Sequence, residues 1–155
     1  MDKIDDQTIK KFREIIRKFG REFFVQNNES CCNGVTLAQC HTLLEIENKK
    51  KESVSELAKT LGLDKSTVSR TIDGLVNIGL VDRIIPVENR RMSELSLTDA
   101  GKNVCNSINC ANDRYFHEVL SVFTDSEREE LIRLFEKVTA RMIQLRSSCN
   151  PQDKA

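Results

Sequence analysis

The sequence predicts a mainly α-helical chain with one small β-hairpin, and three observations predict it. Apolar residues recur in steps of three and four over most of the 155 residues. Three Ser/Thr-x-x-Glu/Gln boxes, at Thr36–Gln39, Ser53–Glu56 and Thr124–Glu127, carry the side-chain pairs that satisfy the free N–H groups of a helix start. Two short runs rich in Val, Ile and Leu flank a tip containing Pro86, Asn89, Arg90 and Arg91.

The elements follow in order. Residues 8–26 place Ile9, Phe12, Ile16, Phe19 and Phe23 on one helical stripe. Asn27 to Ser30, then Asn33-Gly34, predict a loop. The box at Thr36 opens a helix with Leu37, Leu43, Leu44 and Ile46, which stops at Asn48-Lys49-Lys50-Lys51. The box at Ser53 opens a short helix with Leu57, Ala58 and Leu61 inward and Gly62 as its C-cap. Asp64 caps the next, whose inner stripe is Val68, Ile72, Leu75 and Val76 and whose end is Gly79. Two short helices joined by a tight turn containing glycine make a helix-turn-helix.

Strand-type runs come next, Leu80 to Ile85 and Met92 to Leu97. In the second, Ser93, Leu95 and Leu97 alternate with Met92, Glu94 and Ser96, and Pro86 ends the first. A β-hairpin directly after a helix-turn-helix is the arrangement called a winged helix. Thr98 starts a helix with Val104, Ile108, Ala111, Tyr115, Val119 and Val122 in register. The last helix carries Leu131, Leu134, Phe135, Val138, Met142 and Leu145, and a polar tail begins at Ser147. The fold class is therefore mainly α with a small β-hairpin wing: a winged helix-turn-helix domain plus a helical region.

With 24 basic and 24 acidic side chains the formal net charge is zero, which argues against a generic polyanion binder. The sum hides local structure. Residues 49–91 hold 9 basic and 6 acidic side chains, a net of +3, whereas 1–48 sum to −1 and 92–155 to −2. The outward positions of the helix from Lys65 to Ile78 are Lys65, Ser66, Thr67, Ser69, Arg70 and Asp73: short hydrogen-bonding groups and cations gathered toward its N-terminal half. That is where a recognition helix meets base edges in a major groove. Asn89, Arg90 and Arg91 put two guanidinium groups on a protruding tip that can enter a minor groove or clamp phosphates. A solvated helix face and a soluble turn are the plainer readings of each feature alone; their order and spacing together favour DNA.

The stretch from Ser53 to Val81, Ser-Val-Ser-Glu-Leu-Ala-Lys-Thr-Leu-Gly-Leu-Asp-Lys-Ser-Thr-Val-Ser-Arg-Thr-Ile-Asp-Gly-Leu-Val-Asn-Ile-Gly-Leu-Val, resembles the core of the MarR family of bacterial transcriptional regulators. The Asn-Arg-Arg wing and Leu97-Thr98-Asp99-Ala100-Gly101-Lys102 are similar to the same family. One departure stands in the wing, where Asn89 replaces the family's usual Asp before the Arg pair. The resemblance implies a homodimer held by the first and last two helices, reading a palindromic operator on double-stranded DNA. It divides the chain into a helical dimerisation region at 1–35 and 98–148, a DNA-binding region at 36–97 and a tail at 149–155. Phe12, Phe19, Phe23, Phe116, Phe123 and Phe135 all fall in the dimerisation region, more apolar stripe than a small winged helix needs to cover itself. A single intramolecular bundle is the plainer reading.

Six cysteines are many for a chain with no visible signal peptide and an expected cytoplasmic location. Cys31 and Cys32 are adjacent in a polar Asn/Ser/Gly loop, an improbable setting for core packing, and Cys40-His41 follow in the next helix. Cys105 and Cys110 sit five apart, about 140° around a helix, so they do not face one site together. Cys149 lies in the tail and reads as incidental. A lone helical Cys is commonly a small core hydrophobe. Thiolates select soft ions, so Cys31, Cys32, Cys40, His41, Cys105 and Cys110 are candidate ligands for zinc or a trivalent metalloid such as arsenite. Rival effectors are an oxidant that drives disulfide formation and a small organic ligand at the dimer interface with the thiols inert. No Ser/His/Asp set, phosphate loop or HExxH is present, so an enzyme is not expected. No run is long and apolar enough for a membrane span. The expectation is a dimeric, effector-switched repressor; the alternative outside DNA binding is a helical protein-interaction module.

Overall fold

The computed structural model describes residues 4–30, 34–49, 53–84 and 94–148, with backbone alone at 24 and 26–30. The elements in chain order are α1 (Asp6–Ser30), α2 (Leu37–Lys49), α3 (Val54–Leu61), α4 (Lys65–Asn77), β1 (Val81–Ile84), β2 (Glu94–Leu97), α5 (Asp99–Leu120) and α6 (Asp125–Ser148). They fall into two compact units, Met1–Asn112 and Asp113–Ala155.

The helix starts form as the boxes predict. The Thr36 N–H donates to Gln39 Oε1 at 2.8 Å while the Gln39 N–H returns to Thr36 Oγ1 at 3.3 Å. The same reciprocal pairs close Ser53–Glu56 and Thr124–Glu127. At the far end of α3, the N–H groups of Gly62 and Leu63 donate to Lys59 and Ala58, and those of Gly79 and Leu80 close α4 on Val76 and Leu75 in the same way. Leu80 thus belongs to the helix stop rather than to the predicted strand Leu80–Ile85, and β1 begins one residue later. The predicted loop at 27–30 is also helical, since α1 runs to Ser30. No Gly or Pro interrupts the polar run before Gly34, and Asn and Ser cost a helix far less than either.

The core gathers Leu43, Ile46, Leu57, Val68, Ile72, Leu75, Val81, Leu95 and Ile108 from α2, α3, α4, the hairpin and α5. Burying such side chains is the main stabilising contribution, at roughly 1.5–3 kcal/mol each. Val76, predicted inward, is 36% exposed: the inner face of α4 is complete with Val68, Ile72 and Leu75. Val122 lies beyond the end of α5 and is exposed.

The hairpin is antiparallel, with Val81 opposite Leu97 and Arg83 opposite Leu95. Thr98 joins it to both neighbouring helices. Its hydroxyl donates to the Gly79 carbonyl at 2.7 Å and accepts the Gly101 N–H at 3.0 Å, while its own N–H donates to the Leu80 carbonyl. Gly101 lies against this junction, where a Cβ would meet the Leu80 carbonyl oxygen at 2.1 Å. α5 and α2 are further tied by Asn109 Nδ2, which donates to Glu47 Oε2 at 3.1 Å. Among the described residues, no helix is long and apolar enough to cross a membrane.

Candidate nucleic-acid interface

The start of α4 is fixed by Asp64. Its carboxylate accepts the Thr67 N–H at 2.9 Å, the Thr67 hydroxyl at 2.6 Å and the Ser66 hydroxyl. The two hydroxyls, then the backbone N–H, hold its carboxyl well below the usual carboxylate range. A charged cap therefore persists at any neutral pH and fixes the first turn of the helix.

This geometry sorts the predicted reading face. Lys65, Ser66, Arg70 and Asp73 are exposed, while Thr67 and Ser69 are half-buried. Thr67 spends its hydroxyl on the cap, so its role is to hold the helix start. Ser66 lies beside Arg70, whose Nη2 reaches Ser66 Oγ at 3.4 Å. Lys65 and Arg70 thus offer one ammonium and one guanidinium on the N-terminal half of α4, with Ser66 exposed beside them and its hydroxyl, like that of Thr67, donated to Asp64. A guanidinium there can make two hydrogen bonds to a guanine edge, and an ammonium can reach a phosphate. Asn89, Arg90 and Arg91 lie outside the described residues.

The sequence reading missed Arg83. Its Nη1 donates to Asp73 Oδ1 at 3.0 Å, an ion pair between β1 and α4. Register explains the contact: Arg83 shares a hairpin face with Val81, Leu95 and Leu97, of which Val81 and Leu95 are buried. The period-two spacing from Val81 was the available signal.

The candidate ligands are dispersed. Cys40 and Cys105 are 1% and 0% exposed and belong to the hydrophobic core. Burial, then the nearby Glu47 carboxylate, pushes the Cys105 thiol up to about 11, so it stays protonated at neutral pH. A protonated core thiol is a poor ligand and nucleophile; in this structure both cysteines pack as small hydrophobes. Cys110 and His41 are exposed. Cys31, Cys32 and Cys149 lie outside the described residues. Among the described residues, no group of three or more His, Cys, Asp or Glu side chains could hold a metal ion.

A capped helix-turn-helix with cations on its second helix, followed at once by a β-hairpin locked to that helix, defines a winged-helix DNA-binding protein. Residues 35–93 match the model of the MarR family. The chain is 26% identical over 136 residues to YpoP of Bacillus subtilis, described as an uncharacterized HTH-type transcriptional regulator, covering 88% of this chain and 96% of that protein. Its fold is similar to that of a MarR family protein from Bacillus stearothermophilus, with a TM-score of 0.79, 20% identity, and 90% and 99% of the two chains covered. It is also similar to the PcaV transcriptional regulator from Streptomyces coelicolor, solved with its natural ligand, with a TM-score of 0.72, 21% identity, and 90% and 98% covered. The family match over residues 35–93, the HTH-type transcriptional regulator relative and the MarR family structural neighbour together support a MarR-family winged-helix, DNA-binding regulator.

Proposed function

We propose that this chain is a dimeric, effector-switched repressor that reads a palindromic operator without catalysing a reaction. The observation that carries the DNA half is the exposed Lys65, Ser66 and Arg70 face on the capped N-terminal half of α4. Dimerisation is supported by two helices considered separately. The α1 stripe leaves Ile9, Phe12, Ile16 and Phe19 at 39–49% exposed, and α6 buries no residue while exposing Ile132, Leu134, Phe135, Met142, Ile143 and Leu145. Water-exposed apolar faces of that size are covered in stable proteins by another surface, and a second copy supplies the two-fold symmetry of a palindrome. Its two reading helices then sit about 34–36 Å apart, one turn of DNA.

Operator binding measured by fluorescence anisotropy tests the reading. Arg70→Ala and Arg91→Ala each weaken binding roughly tenfold, the scale of one lost base or groove contact. Unchanged affinity in both variants overturns it.

The effector in this proposal is a soft ion, zinc-like or arsenite-like, taken by thiolates at Cys31 and Cys32. Core packing accounts for Cys40 and Cys105; adjacent thiols in a polar Asn/Ser/Gly run are not a core pattern. A small organic ligand is the second reading, favoured by the similar BpsR of Bordetella bronchiseptica, whose DNA binding is regulated by 6-hydroxynicotinic acid. Operator binding with arsenite, zinc and peroxide, in wild type and Cys31→Ser/Cys32→Ser, separates the readings. Release by arsenite or zinc that the double variant abolishes supports the soft ion. Release by peroxide alone supports an oxidant, and indifference to all three leaves the organic ligand.

A further inference from the structure

We infer that Arg83 is a positioning residue for operator binding: its ion pair with Asp73 locks wing strand β1 to reading helix α4, so that helix and wing meet the duplex as one rigid body. The inference rests on the DNA-reading function proposed above and adds a residue pair to it.

Asp73 poses an electrostatic problem. It is a carboxylate with a side chain 52% exposed, on the outward side of the helix that must approach a polyanion. Near phosphates an uncompensated carboxylate opposes binding. Its partner is held in place to compensate it. The Arg83 side chain is only 30% exposed, rises from the inner hairpin face beside Leu95, and places Nη1 3.0 Å from Asp73 Oδ1. Arg83 is therefore turned along the hairpin toward α4, and its charge is spent on Asp73.

The pair is also a side-chain link between the two parts that read DNA. The backbone already holds the root of the hairpin, through Gly79, Leu80 and Thr98. That junction sets where the wing leaves the helix. Arg83 lies three residues beyond Leu80 along β1 and reaches Asp73, six residues before Gly79. The buried Val81 and Leu95 seat the hairpin on the core, and the Arg83–Asp73 pair adds a polar tie to α4 at the level of Leu95 that further restricts its attitude. A wing of fixed attitude loses less conformational freedom when it engages DNA together with the helix.

The sign of one substitution distinguishes this arrangement from simple charge effects. Asp73→Ala removes a negative charge from a DNA-facing helix, so electrostatics alone makes binding tighter. Positional locking makes it weaker. We expect Asp73→Ala and Arg83→Ala each to weaken operator binding roughly fivefold, the upper end of what one half-exposed ion pair contributes. The charge-swapped Asp73→Arg/Arg83→Asp protein regains most of the loss. The salt dependence of binding keeps its wild-type slope in both single variants, because no phosphate contact is lost; a direct Arg83–phosphate contact would lower the slope by about one in Arg83→Ala.

Anisotropy titrations over a salt series, with circular dichroism melts to establish folding, make the test. Tighter or unchanged binding by folded Asp73→Ala overturns the inference, as does a reduced slope in Arg83→Ala. Should Asp73→Ala fail to fold, Asp73→Asn carries the same predicted sign. Wild-type protein that binds no duplex overturns the DNA-reading function itself, a distinct outcome.

Discussion

Gly101 and Thr98 show how single residues set the reading geometry. Thr98 caps α5 with the hydroxyl that also holds the end of α4. Gly101 lets the α5 backbone approach until a methyl group would overlap the Leu80 carbonyl oxygen. Gly101→Ala is expected to destabilise the protein by about 2–3 kcal/mol, because the clash is with backbone that cannot rotate away; urea unfolding checks it, and unchanged stability would contradict the contact. Cys105 makes a second residue-scale case. Its folded thiol is raised to about 11 from an ordinary 9, so the folded state holds the proton more tightly than the unfolded chain. That contribution to stability is complete below about pH 9 and is lost as pH rises toward 11. Maleimide labelling of the native protein near neutral pH modifies the exposed Cys110 and spares the buried Cys105. Equal labelling of the two would contradict the burial.

At the scale of elements, α1 carries a long apolar stripe that is left exposed. Phe12→Glu puts a carboxylate into that stripe and should weaken dimerisation roughly tenfold or more. Sedimentation velocity across a concentration series reads this directly, and an unshifted dimer would move the interface elsewhere. The elements were largely legible in sequence because their signals are local. Ser53, Asp64 and Thr124 act within three residues of where they stand, and the core stripes follow from helical period. Most of the misses lie in local detail that residue type and period do not resolve; only Arg83 depends on a partner in another element. The helix stop at Gly79 draws in Leu80 through a bond to Leu75, which shortens the strand. Val76 faces water because three other residues of α4 already fill the core side. The period of two from Val81 places Arg83 on the inner hairpin face, but its role emerges only with its partner on another element. Thr67 was read as a DNA contact by residue type, yet its hydroxyl belongs to the Asp64 cap.

For the whole molecule, a formal charge of zero coexists with a basic reading block at 49–91. The acidic balance of the flanking segments lowers attraction to arbitrary polyanions and leaves discrimination to groove contacts. In the proposed mode, two copies read a two-fold duplex through α4. Selection of bound sites from a random duplex pool tests that claim most directly. The expected result is enrichment of a palindrome whose half-site centres lie about 10–10.5 base pairs apart, with enrichment lost in Arg70→Ala. Recovery of no common site, or of the same palindrome with undiminished enrichment by Arg70→Ala, would contradict it.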